Sequence, residues 1–331
     1  VIPAVDAVAL PFDRARVRLL RALGPVGRTV VAHRDLRVAV NGTLGVSVSL
    51  LLAVLLPAWT LAIAPLVLGV PHLLADVRYL VLRPGLHRRR ALWAAWAGPI
   101  LAMALGADTA VGLAASVGSA VAGNGSLGRR LGVGLSAAGL VAAAALTEPW
   151  SSLIMAHAHN LVAVALFWAW RGRIRAWHLV PIAAFALGYG GLLAGLFDGL
   201  ALETSMPPGL GLARWREWLA PGLGTLGPRL VLAFAFAQGV HYGVWLRLVP
   251  DEDRARETSR TVRRTFRELL DDCGWLVGAA AIATLVFCAW GLRDLYGARD
   301  GYLSFARFHG SLELAVAALW LVEGRPEPRR C

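Results

Sequence analysis

Apolar runs of helix-spanning length recur along the whole chain, separated by short polar breaks, over residues 38–57, 60–82, 91–107, 109–124, 130–147, 150–170, 177–198, 228–248, 273–292 and 302–322. About 20 apolar residues are needed for a helix to cross a bilayer. Backbone within lipid must satisfy its own hydrogen bonds, so each run predicts a helix. The ten-residue alternation of an outer-membrane barrel is absent. The pattern therefore predicts an all-α fold: a polytopic membrane helix bundle of about ten transmembrane helices.

The breaks between runs fix an orientation. One set carries Arg83 with Arg88, Arg89 and Arg90, then Arg129 and Arg130, then Arg171, Arg173 and Arg175. It continues with Arg254, Arg256, Arg260, Arg263, Arg264 and Arg267, and ends on Arg325, Arg329 and Arg330. The alternate set carries only Arg214, Arg216, Arg293 and Arg299, with Arg229 at a span edge. Basic loops stay on the cytoplasmic side, so both termini are expected there. The organisation that follows is a basic cytoplasmic segment over 1–36, a transmembrane domain over 37–323 and a tail over 324–331. The domain includes an outer loop at 199–227 and a cytoplasmic loop at 249–272. Arg14 to Arg21 also suits a short amphipathic helix lying on the membrane. No signal-peptide pattern opens the sequence. In the outer loop, Leu212-Ala-Arg-Trp-Arg-Glu-Trp-Leu reads as an interfacial helix with Trp215 and Trp218 at headgroup level.

Composition agrees. Of 331 residues, 57% are hydrophobic and 16% charged, against about 25% charged in soluble domains. The net charge of +12 comes from a basic set that is entirely Arg. Most of these Arg sit in the loops between runs, so topology explains the charge, and no nucleic-acid partner is expected. The Arg usage and the spans together fit a bacterial inner membrane. Cys273, Cys288 and Cys331 have no ligand spacing. Gly188 to Gly195 is a small-residue surface suited to helix packing.

Ionisable groups at bilayer depth are costly and usually functional. His33, His87 and His178 lie in loops or at span ends and receive no role. Five others are intramembrane: His72, His157, His159, His241 and His309. His72 and Asp76 are four apart and share a helix face, as do His309 and Glu313. His157 and His159 point about 200° apart, and the small-residue face of Ser152, Ala156 and Ala163 favours His159 as the inward one. The spans carrying these residues are all even-numbered, so they run in one direction. At 1.5 Å per residue the four depths agree within roughly 9 Å. The pattern predicts one imidazole layer contributed by four parallel helices.

Neutral imidazole is a common metal ligand, and a carboxylate beside it orients the ring. Fe(II) is the metal expected, with Zn or Cu also compatible. Asp76 and Glu313 would tune the ligands, and Tyr242 would line the pocket. The leading expectation is a mono-iron oxygenase taking dioxygen and a hydrophobic lipid or isoprenoid from the bilayer. A haem b electron-transfer protein and a metal-free proton-coupled transporter are the alternatives.

Gly69-Val-Pro-His72-Leu-Leu-Ala-Asp76 resembles the Gly-x-Pro-His-x-x-x-Asp segment of the Brp/Blh family of membrane β-carotene dioxygenases. The resemblance implies an all-helical multi-pass fold, non-haem iron held by His from several helices, and carotenoid cleavage to retinal. It makes His72 an iron ligand and Asp76 its orienting partner. It covers eight residues, and the family's later His-x-x-x-His pair has no counterpart in this sequence.

Overall fold

The computed structural model describes residues 2–169, 176–200, 212–254 and 257–324. Among these the chain is helical throughout. The helices are α1 (Ile2–Ala22), α2 (Gly24–Ala32), α3 (Arg34–Leu55), α4 (Pro57–Asp76), α5 (Arg90–Ala104), α6 (Thr109–Ala122), α7 (Leu127–Leu146) and α8 (Trp150–Ala169). They continue with α9 (Ala176–Ala194), α10 (Leu212–Leu219), α11 (Leu226–Gly243), α12 (Val249–Glu252), α13 (Val262–Cys273), α14 (Leu276–Gly291) and α15 (Leu295–Glu323). Two π-helical stretches extend the bundle helices: Val77–Leu82 follows α4, and Val244–Leu248 joins α11 to α12.

Every apolar run of the sequence is a helix, but the expected ten spans are not what the structure shows. Among the described residues, six helices are long and apolar enough to cross a membrane: α3, α4 with its π extension, α7, α8, α9 and α15. A seventh appears if α13 and α14, bent by 107° at their junction, are counted together. The physical reason is length and burial. Helices α5, α6 and α14 hold 15, 14 and 16 residues, short of the roughly 20 that span hydrocarbon. Helix α11 is buried along Val231–Gln238, so protein rather than lipid surrounds it and it can carry Gln238, His241 and Tyr242.

Four helices form the centre. Helix α4 packs on both α11 and α15, and α8 packs on the same two, which closes a ring α4–α11–α8–α15. All four run toward one end of the bundle, where the segments beyond them are tied together. Arg83 pairs with Asp253 at 2.9 Å and Arg89 with Glu323 at 2.6 Å. Arg37 at the start of α3 donates to both carboxylate oxygens of Asp251, at 2.7 and 2.9 Å. The Arg-rich breaks thus gather at this end. Those at 171–175, 256 and 325–330 lie outside the described residues.

Close approach inside the ring needs two glycines. A Cβ on Gly69 would fall 2.3 Å from the Tyr302 ring, so its absence lets α15 press onto α4. A Cβ on Gly310 would fall 3.0 Å from the Met155 side chain and 3.3 Å from the His159 Cβ, which sets the α8–α15 spacing.

Two segments depart from the sequence reading, and a third gains detail. Residues 2–36 are two helices and the start of α3. Helix α1 packs on α13, and Asp13 caps it, accepting from the backbone N–H of Val262 at 2.6 Å and of Arg263 at 3.3 Å. Helix α10 packs on α11, so Trp215 is 1% exposed instead of lying at a headgroup surface. The Arg299 guanidinium stacks 4.2 Å from the rings of both Trp215 and Trp218. Helix α15 begins at Leu295, seven residues before its apolar run, because Arg299 and Asp294 are satisfied locally. Arg299 donates to the Leu61 carbonyl at 3.2 Å and the Asp294 side chain caps the helix at Gly297.

Candidate metal centre

The ring of helices delivers one imidazole apiece to a common layer. His72, His241 and His309 lie about 15 residues into α4, α11 and α15, and His159 about nine residues into α8. Their rings follow the helix ring: His72 to His241 at 5.2 Å, His241 to His159 at 5.3 Å, His159 to His309 at 5.1 Å, and His309 to His72 at 4.9 Å between centroids. Across the ring, His241 and His309 are 5.6 Å apart. Ligand nitrogens of His72, His241 and His309 all lie within 4.8 Å of one another, and all three residues are buried.

Hydrogen bonds set the free edges of two of the rings. His159 Nδ1 donates to the Met155 carbonyl at 3.2 Å, and His309 Nδ1 donates to the Ala306 carbonyl. Each thereby leaves Nε2 as the lone-pair nitrogen. His72 Nε2 stands 3.4 Å from His309 Nε2. Two metal–imidazole bonds of about 2.1 Å at a tetrahedral angle separate their nitrogens by about 3.4 Å. Both His241 nitrogens and His72 Nδ1 are buried without a hydrogen-bond partner, a condition that costs free energy unless something else satisfies them.

Two carboxylates sit one turn beyond the layer. Asp76 and Glu313 are both fully buried, and the two are within electrostatic reach of each other. Trp245 Nε1 donates to Glu313 Oε1 at 2.8 Å. The other Glu313 oxygen and both oxygens of Asp76 have no hydrogen-bond partner, and neither group forms an ion pair among the described residues. Buried unpaired carboxylates are expensive. A divalent cation among the adjacent imidazoles would offset their charge, which is a second respect in which the residues fit a metal.

Tyr242 flanks the layer, its ring 4.7 Å from that of His72, and its hydroxyl accepts from Gln238 Nε2 at 3.2 Å. Of the sequence-predicted ligands, His157 is not brought to the layer. Its Nε2 donates to the Leu219 carbonyl at 2.9 Å and its ring lies against Phe234. It holds α10 down on the bundle, the role that the 200° separation from His159 leaves open to it.

A cavity of about 820 Å³ leads from the imidazoles to the end of the bundle opposite the ion pairs. Trp150, Trp218, Phe234 and Leu303 give it apolar walls, while Glu148 and Arg307 stand in its polar part. Burial works against the Glu148 charge, but hydrogen bonds from Ser151 and Ser152 and the nearby Arg307 hold its carboxyl below the ordinary range. Sequence reading gave neither Glu148 nor Arg307 a part in the site. Glu148 lies in a break between runs, and Arg307 reads as a span-end residue.

Two axial imidazoles in line across an iron need nitrogens about 4 Å apart, whereas His72 Nε2 and His309 Nε2 stand 3.4 Å apart and the four rings meet edge to face. The buried cluster in a membrane helix bundle is consistent with a non-haem metal site. Comparison of the chain with protein-family models, curated proteins and solved structures gave no match.

Proposed function

We propose that the protein is an integral membrane non-haem iron oxygenase acting on a hydrophobic lipid or isoprenoid, in the manner of a carotenoid-cleaving enzyme. The observation that carries this reading is the layer of four imidazoles at the inner end of a mostly apolar cavity, with two nitrogens 3.4 Å apart. His72, His241 and His309 would hold the iron, with His159 as a fourth ligand. Bound iron supplies the means of activating dioxygen, since imidazole-rich sites with open positions suit iron(II).

The chain's own residues do the rest. Asp76 and Glu313 balance charge and fix ligand orientation, as carboxylates beside metal-bound imidazoles do. Trp245 fixes Glu313 by its indole hydrogen bond. Tyr242 closes one side of the layer, and Trp150, Trp218 and Leu303 exclude water from an apolar chain lying in the cavity. The Arg-rich end is placed in the cytoplasm, with both termini, by the positive-inside rule. The Gly69–Asp76 segment supports a Brp/Blh-like reaction, and a bacterial inner membrane is the location that suits the chain.

The test is metal analysis with an optical spectrum on detergent-purified protein. The expected result is equimolar iron with no Soret band, lost in His72→Ala and in His241→Ala. Oxygen uptake on adding an apolar isoprenoid should follow the iron. Protein that is fully folded and metal-free, or that carries a Soret band, would overturn the reading.

A further inference from the structure

A second set of ligand-type side chains converges at the ion-paired end, far from the cavity. His178 lies in the first turn of α9, Asp35 in the first turn of α3, and Glu252 ends α12. His178 Nε2 stands 3.9 Å from Asp35 Oδ1 and 3.7 Å from Glu252 Oε1. One ligand atom from each of the three falls within 4.8 Å of the other two. His178 is 8% exposed, and its Nε2 is buried with no hydrogen-bond partner.

The spacing is informative. Both gaps are too long for a hydrogen bond. Both are shorter than the about 4.2 Å that two metal–ligand bonds of about 2.1 Å can reach. A histidine that served only to bridge two acids would close on one of them. The backbone that carries each group is fixed by separate contacts, so the gap is held open. Arg37, two residues beyond Asp35, clamps Asp251 beside Glu252. Trp168 Nε1 donates to the His178 carbonyl at 3.3 Å and ties the start of α9 to the end of α8.

We propose that Asp35, His178 and Glu252 form a divalent-metal site distinct from the central imidazole layer. One imidazole with two carboxylates is a borderline-to-hard donor set, which suits Mn(II) or Zn(II) better than a copper ion. The ion joins three segments that are distant in sequence, so its effect is to clasp α3, α9 and α12 at this end of the bundle.

The experiment uses full-length protein in detergent carrying His72→Ala and His241→Ala, so that the central layer cannot compete. Mn(II) is titrated in, and the free ion is followed by its solution electron paramagnetic resonance signal. The expected result is one bound equivalent and a higher melting temperature with Mn(II), because an ion that binds only the folded state stabilises it. Adding His178→Ala, or the conservative Glu252→Gln, should weaken binding at least tenfold and abolish the thermal shift. If the double variant does not fold, iron-loaded protein with the central layer intact is titrated instead, and the added equivalent is read. No bound Mn(II), or binding that both His178→Ala and Glu252→Gln leave unchanged, overturns the proposal.

Discussion

Asp76 and Glu313 sit one turn beyond His72 and His309, and both Asp76 oxygens and Glu313 Oε2 meet no donor. If the two carboxylates serve the imidazoles, Asp76→Asn and Glu313→Gln should each weaken iron affinity about 10–100-fold, the usual effect of removing such a partner. Competition with a graded chelator measures this, and unchanged affinity in both variants would leave the carboxylates without that role. At this scale much of the centre was legible. Polar residues stand out in apolar runs, and His72, His159, His241 and His309 could be matched by depth and direction. The split between His157 and His159 was open from helix rotation, and the partner that occupies His157, the Leu219 carbonyl, comes from a different part of the chain. The sequence gives His178 no role because its neighbours Asp35 and Glu252 lie at helix ends more than 70 residues away on either side, where charged residues ordinarily face water.

Helices that the hydrophobic pattern could not anticipate are those shaped by single polar contacts. Asp13 is the clearest case, since it caps α13 from another helix. Asp13→Ala should cost about 1 kcal/mol, as loss of an N-cap does, and should loosen α1 from α13. Faster proteolytic cleavage within residues 1–32 at unchanged metal content is the expected readout. The same reasoning explains α15. Arg299 and Asp300 suggested a loop because charges seldom open a span, but aromatic faces and a backbone carbonyl accommodate Arg299, so the helix starts earlier. That extra length brings His309 to the depth of His72 and His241 more closely than the sequence allowed.

For the molecule as a whole, a charged end and an open, apolar-walled end are held at opposite sides of one imidazole layer. The charged end depends on Asp251, 2% exposed and bonded to Arg37 and Arg254. Burial opposes its charge, but Arg37 outweighs that and holds the Asp251 carboxyl below its usual range. A carboxylate whose folded value lies below the unfolded one, near 3.9, contributes fully above that pH and loses its contribution as the pH falls toward the folded value. Wild-type protein should therefore destabilise on acidification in that window. Asp251→Asn should lose this acid-side dependence, and by stranding Arg37 should cost about 3–5 kcal/mol at neutral pH. Melts in detergent between pH 3 and 7 test both, and an Asp251→Asn variant as stable as wild type would count against this role for the Arg37–Asp251 pair. The span number was the part of the architecture that apolar runs misjudged, because a run of hydrophobic residues does not reveal whether lipid or protein will face it.

The two π-helical stretches leave a mark of a different kind. Each amounts to one residue more than an α-helix would use over the same turn, since Arg83 bonds back to Arg78 and Val249 back to Val244. One residue corresponds to about 100° of rotation. Deleting it after Asp76 would swing everything beyond, and doing so after Gly243 would turn Trp245 from Glu313, with every imidazole upstream left where it was. The register of His241 and the register of Trp245, which steadies Glu313, are thus set separately, on either side of the second insertion. A redesign could retime one without disturbing the other.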